Sequence, residues 1–373
     1  MSILEVNGAR INYVQLDCHP ADHGAGHPST AAEPEDLVMV HGLATNMAFW
    51  YFQYAARFSQ RRFRVTLFDL RGHGRSEMTE SGYTPDNLAR DLQGLLDALG
   101  IRRAHFLAHS YGGVVALNFA KLDPSRVASL VLCDTHIAAV RRDARVEGWG
   151  HGPEIQAIVD KVGLNLDTRD PYFGYKLLTE VSHLQMRSAE VPPELVELVS
   201  PLVGKYGNRT AAQWIKLMDC TRAEAELMGD DGLSLSELRK FSFPILAMYG
   251  DQSQARLTGK ELLDVWPHAD FRRVRKAGHF FPASRPEEVI HACERFWGGE
   301  FASGPKHRSG DTRRSHFRSD RVYQADGGWF FMTREQAQVG PFERQEEAQQ
   351  VLASFISAMA GAVPVPAAAG VVG

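Results

Sequence analysis

Residues 107–115, which read LAHSYGGVV, decide the fold. An apolar run ends at Ala108, Ser110 follows within one tight turn, and a helical pattern begins directly after it. A strand, a sharp turn and a helix in this order are typical of a nucleophile elbow, which exposes a serine hydroxyl at the carboxyl edge of a sheet. Gly112 and Gly113 allow the strained turn and a close approach of helix to strand. The stretch therefore predicts a reactive Ser110, with a helix N-terminus that favours negative charge beside it.

Apolar strands alternate with helical segments on both sides of this turn. Such alternation is typical of a mostly parallel sheet that is covered by helices on both faces. Near the N-terminus, Asn7-Gly8 separates two alternating runs and predicts a hairpin. The predicted core strands are LVMVHG (37–42), FRVTLFDL (63–70), RAHFLAHS (103–110), VASLVLCD (127–134), FPILAMYG (243–250) and ADFRRV (269–274). The fold class predicted is therefore α/β.

The pattern of predicted strands and helices changes along the chain, and the changes suggest further divisions. About a hundred residues after the strand at 127–134 are helical in pattern and contain no good strand, which predicts a helical lid inserted into the core. A polar, basic, Gly- and Ser-containing stretch follows the core and is typical of a linker. The predicted organisation is a core of residues 1–135 and 242–298, a lid of residues 136–241, a linker of residues 299–319, a small β-β-β-α module of residues 320–359 and a disordered tail of residues 360–373.

Composition describes an ordinary globular protein. The 373 residues are 44% hydrophobic and 23% charged, with a net charge of −4. Because the chain has no overall excess of positive charge, the composition does not indicate a nucleic-acid partner. No apolar run approaches the ~18 residues of a membrane span, and the N-terminal residues lack a signal-peptide pattern. The four cysteines are far apart, which is typical of reduced thiols. These features favour a cytoplasmic location without a membrane span.

Two further motifs accompany the serine turn. HGLATN (41–46) follows an early strand, and DLRGHGRS (69–76) follows the next one. With LAHSYGGVV they resemble the α/β-hydrolase superfamily in the right order from residue 1 to about residue 300. Ala108 stands where the family usually has glycine, and alanine is small enough for that place. The resemblance implies a serine hydrolase that forms an acyl-enzyme.

The resemblance also assigns roles to individual residues. It makes Ser110 the nucleophile and His279, in AGHFFP (277–282), the general base. The backbone N–H groups of Tyr111 and Leu43 become the two donors of an oxyanion hole, which stabilises charge that develops in the transition state.

The early motifs contain residues that we expect to be structural. His41 is expected to brace the oxyanion loop rather than to transfer protons. Asp69 and Arg71 match a family turn in which they hold loops together, and His73 is assigned a structural role as well.

The acid that orients His279 is open between two carboxylates. The resemblance places it in the loop of MYGDQSQ (248–254), usually three residues after the glycine, but that position holds Ser253. Asp251 lies two residues earlier in the same loop. Some relatives, haloalkane dehalogenases and carrier-protein thioesterases among them, place the acid after the earlier strand that ends here at Asp134. Because the usual position lacks an acid, we favour Asp134 and keep Asp251 as the alternative.

The sequence predicts no cofactor. A serine nucleophile argues against haloalkane dehalogenase and epoxide hydrolase chemistry, since those relatives attack with aspartate. GHGRS lacks the strand–GxGxxG–helix context of a flavin or nicotinamide site.

A histidine cluster in the N-terminal loop is the remaining candidate for metal binding. His19, His23 and His27 are spaced by four, which would place them on one face of a helix. Pro20 and Gly24 argue against that helix, so a flexible loop is favoured and no metal is predicted.

The lid sets the expectation for the substrate. It is rich in apolar residues, of which most should form the core of the lid and the remainder an apolar pocket over Ser110. The residues concerned include Tyr172, Phe173, Tyr175, Trp214 and Met218. We expect a small-to-medium apolar ester or thioester, with a free, CoA-bound or carrier-protein-bound acyl group. A biosynthetic thioesterase or cyclase, a C–C bond hydrolase and a catalytically weak partner-binding protein are the alternatives.

The C-terminal module resembles small bacterial domains of unknown function. It is loosely similar to GYF-like adaptor domains, in which a tryptophan and a Gly-Pro-Phe turn frame a groove for proline-rich ligands. Trp329 and Phe342 are the corresponding residues. So small a domain needs its aromatic residues as a core, which is the interpretation that we favour. The module is also a candidate to dock on a protein partner or on the hydrolase core.

Overall fold

The computed structural model divides the chain into two compact units, Met1–Ala302 and Ser303–Gly373. The loop with His19, His23 and His27, the predicted linker and the predicted tail lie outside the described residues. The structure describes residues 2–18, 34–60, 62–141, 149–187, 195, 198–199 and 207–298 of the first unit, and residues 322–325, 328–332, 338–342, 344–345 and 349 of the second.

An eight-stranded sheet forms the centre of the first unit. Its spatial order is β1-β2-β4-β3-β5-β6-β7-β8. The first two strands form an antiparallel hairpin, β2 pairs antiparallel with β4, and every other neighbouring pair is parallel. The mostly parallel α/β sheet is thus confirmed. The strands are β1 (Ser2–Val6), β2 (Ala9–Leu16), β3 (Glu35–Val40), β4 (Phe63–Phe68), β5 (Ala104–His109), β6 (Val127–Cys133), β7 (Ile245–Gly250) and β8 (Asp270–Val274).

Helices connect these strands. The segment Tyr51–Ala55 between the first two helices is π-helical. The α-helices are α1 (Ala48–Trp50), α2 (Ala56–Ser59), α3 (Pro85–Ala98), α4 (Tyr111–Leu122), α5 (Ala138–Arg141), α6 (Gly152–Val162), α7 (Phe173–Met186), α8 (Gly207–Cys220), α9 (Ala223–Leu227), α10 (Leu235–Leu238), α11 (Arg256–Val265), α12 (Phe281–Ser284) and α13 (Pro286–Phe296).

The first hairpin turns at Asn7-Gly8, as the sequence predicts, and local sequence signals also mark the start of the long helix α3. Asn7 and Gly8 both have positive φ angles, 49° and 71°, as a tight two-residue hairpin turn requires. Thr84 caps α3 by accepting a hydrogen bond from the N–H of Asn87 at 3.3 Å, and Pro85 follows as the first helical residue.

The central strands are buried on both faces of the sheet. Along β5, the side chains of Phe106 and Ala108 pack into a core with α3, α4 and the helices between β6 and β7. Leu107 points to the opposite face and packs into a second core with Trp50 and α13. Because both faces are covered, the carboxyl edge of the sheet is where side chains at strand ends become available for chemistry.

Helices α5–α10 form the insertion between β6 and β7. The side chains of Phe173, Trp214 and Met218 are buried in the same core as one face of the sheet, while Tyr172 and Tyr175 are partly exposed. Phe173, Trp214 and Met218 thus pack in the core of the first unit, whereas the two tyrosines are available at its surface. Among the described residues, no helix is long and apolar enough to cross a membrane.

The second unit contains a three-stranded antiparallel sheet in the order β11-β10-β9. Trp329 pairs with Phe342 across the two neighbouring strands, and the register shifts between Trp329 and Phe331. Nearly all of the predicted C-terminal helix lies outside the described residues. The three strands are β9 (Val322–Ala325), β10 (Gly328–Met332) and β11 (Gln338–Phe342).

Candidate active site

Ser110 occupies a strained turn between β5 and α4. Its φ of 55° and ψ of −126° lie outside the regions that non-glycine residues favour. Such a conformation costs roughly 1–3 kcal/mol and persists only where the surroundings impose it. Here the N–H of Ser110 donates to the carbonyl oxygen of Cys133 on the neighbouring strand at 2.9 Å. The turn carries the serine side chain to the carboxyl edge of the sheet.

The two glycines after the serine are required by close contacts. A Cβ atom on Gly112 would lie 2.5 Å from the carbonyl oxygen of His41. A Cβ atom on Gly113 would collide with the side chain of Thr135. The N-terminal turn of α4 therefore packs directly on the ends of β3 and β6, as the sequence of the turn suggested.

His279 follows β8 and contacts Ser110 and Asp134. Its Nε2 lies 2.9 Å from the Oγ of Ser110, and its Nδ1 lies 2.7 Å from the Oδ2 of Asp134. A carboxylate accepts hydrogen bonds, so Nδ1 carries the proton and Nε2 is left to accept the proton of the serine hydroxyl. The side chain of His279 is 32% exposed, whereas that of Asp134 is 0% exposed. This geometry matches a nucleophile, a base and an orienting acid.

Asp134 is fixed by both its backbone and its side chain. Its φ is 52°, and its N–H donates to the carbonyl oxygen of Met248 on β7 at 2.8 Å. The Oδ1 atom accepts the N–H of Gly250 at 2.9 Å. The Oδ2 atom, which faces His279, also accepts the hydroxyl of Ser253. A fully buried carboxylate thus has three donors, which compensate for its lost hydration.

Asp251 lies outside this chain of hydrogen bonds. Its N–H donates to the carbonyl oxygen of Val274 at 3.0 Å, and its Oδ1 lies 3.4 Å from the N–H of Ala277. These contacts connect the loop after β7 with the segment after β8. Of the two carboxylates that the sequence left open, the structure brings Asp134 to His279.

The predicted oxyanion loop passes beside the serine. A Cβ atom on Gly42 would lie 2.9 Å from the Cβ of Ser110, so the glycine allows the loop to pass this closely. The side chain of Leu43, the next residue, is buried at 3% exposure. Tyr111 is the first residue of α4, and the N–H groups of a first helical turn have no acceptor within their own helix. Both predicted donors therefore belong to segments that adjoin Ser110.

His41 connects the oxyanion loop with the segment after β4. Its Nδ1–H donates to the carbonyl oxygen of Gly42 at 2.7 Å, and its Nε2 accepts the N–H of Leu70 at 2.9 Å. Burial lowers the pKa of His41 to about 4, so the ring is neutral near pH 7. The structure thus places His41 where the sequence assigned it, as a link between two loops.

The DLRGHGRS segment is held by buried polar contacts. The carboxylate of Asp69 accepts the N–H of Met47 at 2.8 Å and the side-chain amide of Asn12 at 2.7 Å. The guanidinium of Arg71 binds both carboxylate oxygens of Asp91 on α3, at 2.9 and 2.6 Å. These contacts fit the structural roles expected for Asp69 and Arg71.

His73 is buried in the same segment. Its Nδ1–H donates to the carbonyl oxygen of Arg71 at 3.0 Å. Burial, and next the neighbouring His41, lower the pKa of His73 to about 4. The ring is therefore neutral near pH 7, which fits the structural role expected for it.

Sequence reasoning missed His109, the residue before Ser110. The His109 side chain is 0% exposed, and its Nε2–H donates to the carbonyl oxygen of His279 at 2.9 Å. Its ring stacks on Phe49 with a centroid distance of 4.8 Å. Burial, and next the neighbouring His279, hold the pKa of His109 well below its ordinary value, so the ring is neutral. Its place beside the serine was the only signal in the sequence.

The sequence contains one candidate cluster of metal ligands, in the N-terminal loop, for which a flexible loop without metal is favoured. Within the described ranges, no group of three or more His, Cys, Asp or Glu side chains could hold a metal ion. The candidate cluster of His19, His23 and His27 falls outside those ranges.

Comparison with known proteins identifies the family of this chain. Residues 37–286 match the family described as alpha/beta hydrolase fold. The chain belongs to the α/β-hydrolase family. Residues 307–361 match a family described only as a domain of unknown function, DUF6316. Both the resemblance of the first unit and the expectation of a C-terminal domain of unknown function are confirmed.

Individual relatives cover different shares of the chain. The putative carbamate hydrolase RutD of Caulobacter sp. (strain K31) is 27% identical over 288 residues, covering 74% of this chain and 95% of that protein. The dihydrolipoyllysine-residue acetyltransferase component of the acetoin cleaving system of Pseudomonas putida is 44% identical over 96 residues, or 26% of this chain. That match spans 25% of the relative's length. The family and its hydrolase-named relative identify the chain as a hydrolase.

Solved structures agree on the fold. The epoxide hydrolase CorEH superimposes with a TM-score of 0.55 at 21% identity, covering 79% of this chain and 97% of that one. At this identity the similarity establishes the α/β-hydrolase fold and carries no information about the bond that is cleaved.

Proposed function

We propose that this chain is a serine hydrolase that cleaves an acyl bond through a covalent acyl-enzyme. One observation carries the proposal: Ser110, His279 and Asp134 form a continuous chain of hydrogen bonds of 2.9 and 2.7 Å. Ser110 and Asp134 directly follow β5 and β6, and His279 lies in the loop after β8, so the three side chains come together beyond the carboxyl ends of these strands. This arrangement is the one that activates a serine hydroxyl for attack on a carbonyl.

The proposed reaction proceeds in two halves. The Oγ of Ser110 attacks the acyl carbon while its proton passes to the Nε2 of His279. Asp134 stabilises the imidazolium, and the N–H groups of Leu43 and Tyr111 stabilise the oxyanion. His279 then gives the proton to the leaving group, which departs as an alcohol, thiol or equivalent. In the second half a water molecule loses a proton to His279, attacks the acyl-enzyme and releases the acid, while the proton returns to Ser110.

The surroundings support an apolar acyl group. Phe280 lies beside His279 with a ring centroid distance of 4.9 Å, and Phe49 stacks on His109. Tyr175 of the helical insertion lies 6.4 Å from the ring of Tyr111 and is partly exposed. Aromatic rings that adjoin the residues on both sides of the catalytic chain favour hydrocarbon over charged substituents. We therefore place simple esters and thioesters first among substrates, and carbamates, the class named for the Caulobacter relative, next.

The proposal is tested with the full chain and a fluorophosphonate probe that labels activated serines. The wild type should be labelled and should hydrolyse p-nitrophenyl esters, and Ser110→Ala should lose both properties. Ser236→Ala is the matched control because Ser236 is exposed in the insertion, and this variant should behave as the wild type. Labelling of Ser110→Ala at the wild-type level would overturn the proposal.

The same proteins also distinguish between the alternative hypotheses for the function. A wild type that is neither labelled nor active would favour the catalytically weak partner-binding protein. For an active wild type, a product-resolved comparison of esters, acyl-thioesters, lactones, carbamates and β-diketones assigns the bond. A thioesterase would prefer acyl-thioesters, and a C–C bond hydrolase would prefer the β-diketone.

A further inference from the structure

Ser253 occupies the position where the family resemblance predicts an acid, and its hydroxyl contacts the other candidate carboxylate, that of Asp134. The hydroxyl donates to the Oδ2 of Asp134, the same oxygen that accepts Nδ1–H of His279. Ser253 is buried at 5% exposure, and Asp134 is 0% exposed. The hydroxyl is thus one of three hydrogen-bond donors to the carboxylate of Asp134 within the described residues.

The orientation of the Ser253 hydroxyl is set by its own loop. The N–H of Ala255 donates to the Oγ of Ser253 at 3.2 Å, which occupies a lone pair on that oxygen. The N–H of Ser253 donates to the carbonyl oxygen of Gly250 at 3.2 Å. The ten-residue helix α11 begins directly after this turn, at Arg256. The oxygen of Ser253 thus accepts one hydrogen bond while its hydrogen donates to Asp134. The hydrogen bond that the hydroxyl accepts polarises it and strengthens the hydrogen bond that it donates.

Residues on both sides of Ser253 bind the helical insertion. The indole N–H of Trp149 donates to the carbonyl oxygen of Gln252 at 3.0 Å. The side-chain amide of Gln254 donates to the carbonyl oxygen of Thr168 at 2.9 Å. The loop is therefore anchored to the insertion on either side of Ser253, while Ser253 itself is anchored to the acid at the end of β6.

We infer that Ser253 is a positioning residue that holds the carboxylate of Asp134 in the orientation that His279 requires. The inference rests on the proposed function, because it assigns Ser253 a role within the same triad. Without the hydroxyl, the Oδ2 atom keeps only the donor of His279, and the N–H of Gly250 on Oδ1 is the one remaining contact that holds the carboxylate independently of the histidine. The hydroxyl also draws negative charge from Oδ2, so its loss leaves more charge facing the imidazolium of His279 and stabilises it.

The other titratable side chains around this pair are held neutral by burial. Tyr249 and Cys133 adjoin Asp134, and burial raises the pKa of each well above its ordinary value. His109 lies beside His279, and burial keeps its pKa well below its ordinary value. These neighbours are therefore uncharged near pH 7 and do not add a titration of their own to the pH–activity profile there.

The test compares Ser253→Ala with Ser253→Thr, which keeps the hydroxyl, in steady-state hydrolysis of p-nitrophenyl butyrate over a range of pH. We expect Ser253→Ala to lower kcat about tenfold, as the loss of a hydrogen bond to a charged group implies, with little change in KM. The acid limb of its kcat/KM profile should move to higher pH. Ser253→Thr should stay near the wild type in both respects. Ser59→Ala is the control, because Ser59 is a buried serine whose hydroxyl donates to a backbone carbonyl in α2.

Two results would overturn the inference. One is a Ser253→Ala variant with the kcat and pH profile of the wild type. The other is an equal loss in Ser253→Ala and Ser253→Thr, which would mean that the hydroxyl is not the group that matters. Asp134→Asn and Ser110→Ala are measured alongside. If these two remain active, the proposed function fails, whereas if they are inactive and Ser253→Ala is unchanged, only the role of Ser253 fails.

Discussion

The Nε2 of His109 lies 2.9 Å from the carbonyl oxygen of His279, so the residue before the proposed nucleophile binds the backbone of the proposed base. The two residues are 170 positions apart in the chain and come from β5 and from the loop after β8. The other ring nitrogen of His109 is buried without a hydrogen-bond partner in the described part of the chain. A neutral ring has one N–H donor and one acceptor nitrogen, and here the donor binds the carbonyl oxygen of His279. This contact is the main polar one of His109 within the described residues.

The first prediction concerns this contact. His109→Leu removes the donor, so the loop with His279 loses a fixed point and kcat should fall on the order of tenfold, as displacements of a catalytic group do. His109→Gln keeps an N–H donor and should recover most of the activity. Steady-state hydrolysis of a p-nitrophenyl ester provides the measurement. If the two variants lose activity equally, the aromatic packing on Phe49 is responsible and the hydrogen bond is not.

The second prediction separates the two candidate acids. Asp134→Asn cannot hold the Nδ1–H tautomer of His279 and should lower kcat by about a thousandfold or more. Asp251→Asn changes a loop contact with Ala277 and should lower kcat by no more than about threefold, as expected for a partly exposed site. Both variants have the same change in charge and size, so each is the control for the other. The reverse order of the two effects would return the acid to the loop after β7.

The fold was predictable because its signals are local. The turn at Ser110 needs Gly112 and Gly113, and the contacts at those positions explain why larger residues would not fit. Alternating apolar strands and helices then imply a parallel sheet. His279 was predicted as the base from the family resemblance together with its position after the last strand. Each of these inferences depends on residues that are neighbours in the sequence or on their order.

The choice between the two candidate acids could not be made from the sequence in the same way. β6 and β7 are adjacent parallel strands, with Cys133 paired with Met248, so carboxylates after either strand reach the same edge of the sheet. What distinguishes Asp134 is its φ of 52° and the donors that meet its side chain. Those donors come from more than a hundred residues further along the chain. The same holds for His109, whose contact with His279 depends on how two loops meet in space.

The third prediction concerns acid stability. An unfolded chain protonates histidine near pH 6.5, whereas burial lowers the pKa of His41 and of His73 to about 4. Between these values the unfolded state binds more protons than the folded state. The contribution of the two histidines to the free energy of unfolding is therefore fully present above pH 6.5 and is lost as the pH falls towards 4. The slope is up to about 1.4 kcal/mol per pH unit for each residue. Urea unfolding at several pH values between 7 and 5 measures it.

His73→Gln removes one of these groups and should give a shallower dependence on pH. His291→Gln is the matched control, because the His291 side chain is 61% exposed, and it should keep the wild-type slope. Identical slopes for all three proteins would contradict the prediction.

The fourth prediction compares two carboxylates of the same helix, α3. Asp91 forms a two-pronged ion pair with Arg71, and the side chains are 2% and 5% exposed. Asp91→Asn leaves the guanidinium buried and uncompensated, which should cost about 3–5 kcal/mol of unfolding free energy. Asp86 pairs with Arg90 at 3.0 Å, but these side chains are 44% and 52% exposed. Asp86→Asn should cost no more than about 0.5 kcal/mol. Equal losses in thermal or urea unfolding would show that burial does not govern these pairs.

The backbone at Ser110 has a consequence for engineering this protein. A residue with a φ of 55° and a ψ of −126° is strained unless it is glycine. Relief of about 1–3 kcal/mol of strain exceeds the roughly 0.5–1 kcal/mol that the flexibility of glycine costs on folding. Directed evolution for heat resistance alone would therefore reward Ser110→Gly. A library of this chain sorted by melting temperature without a turnover assay would be enriched in variants that lack the proposed nucleophile.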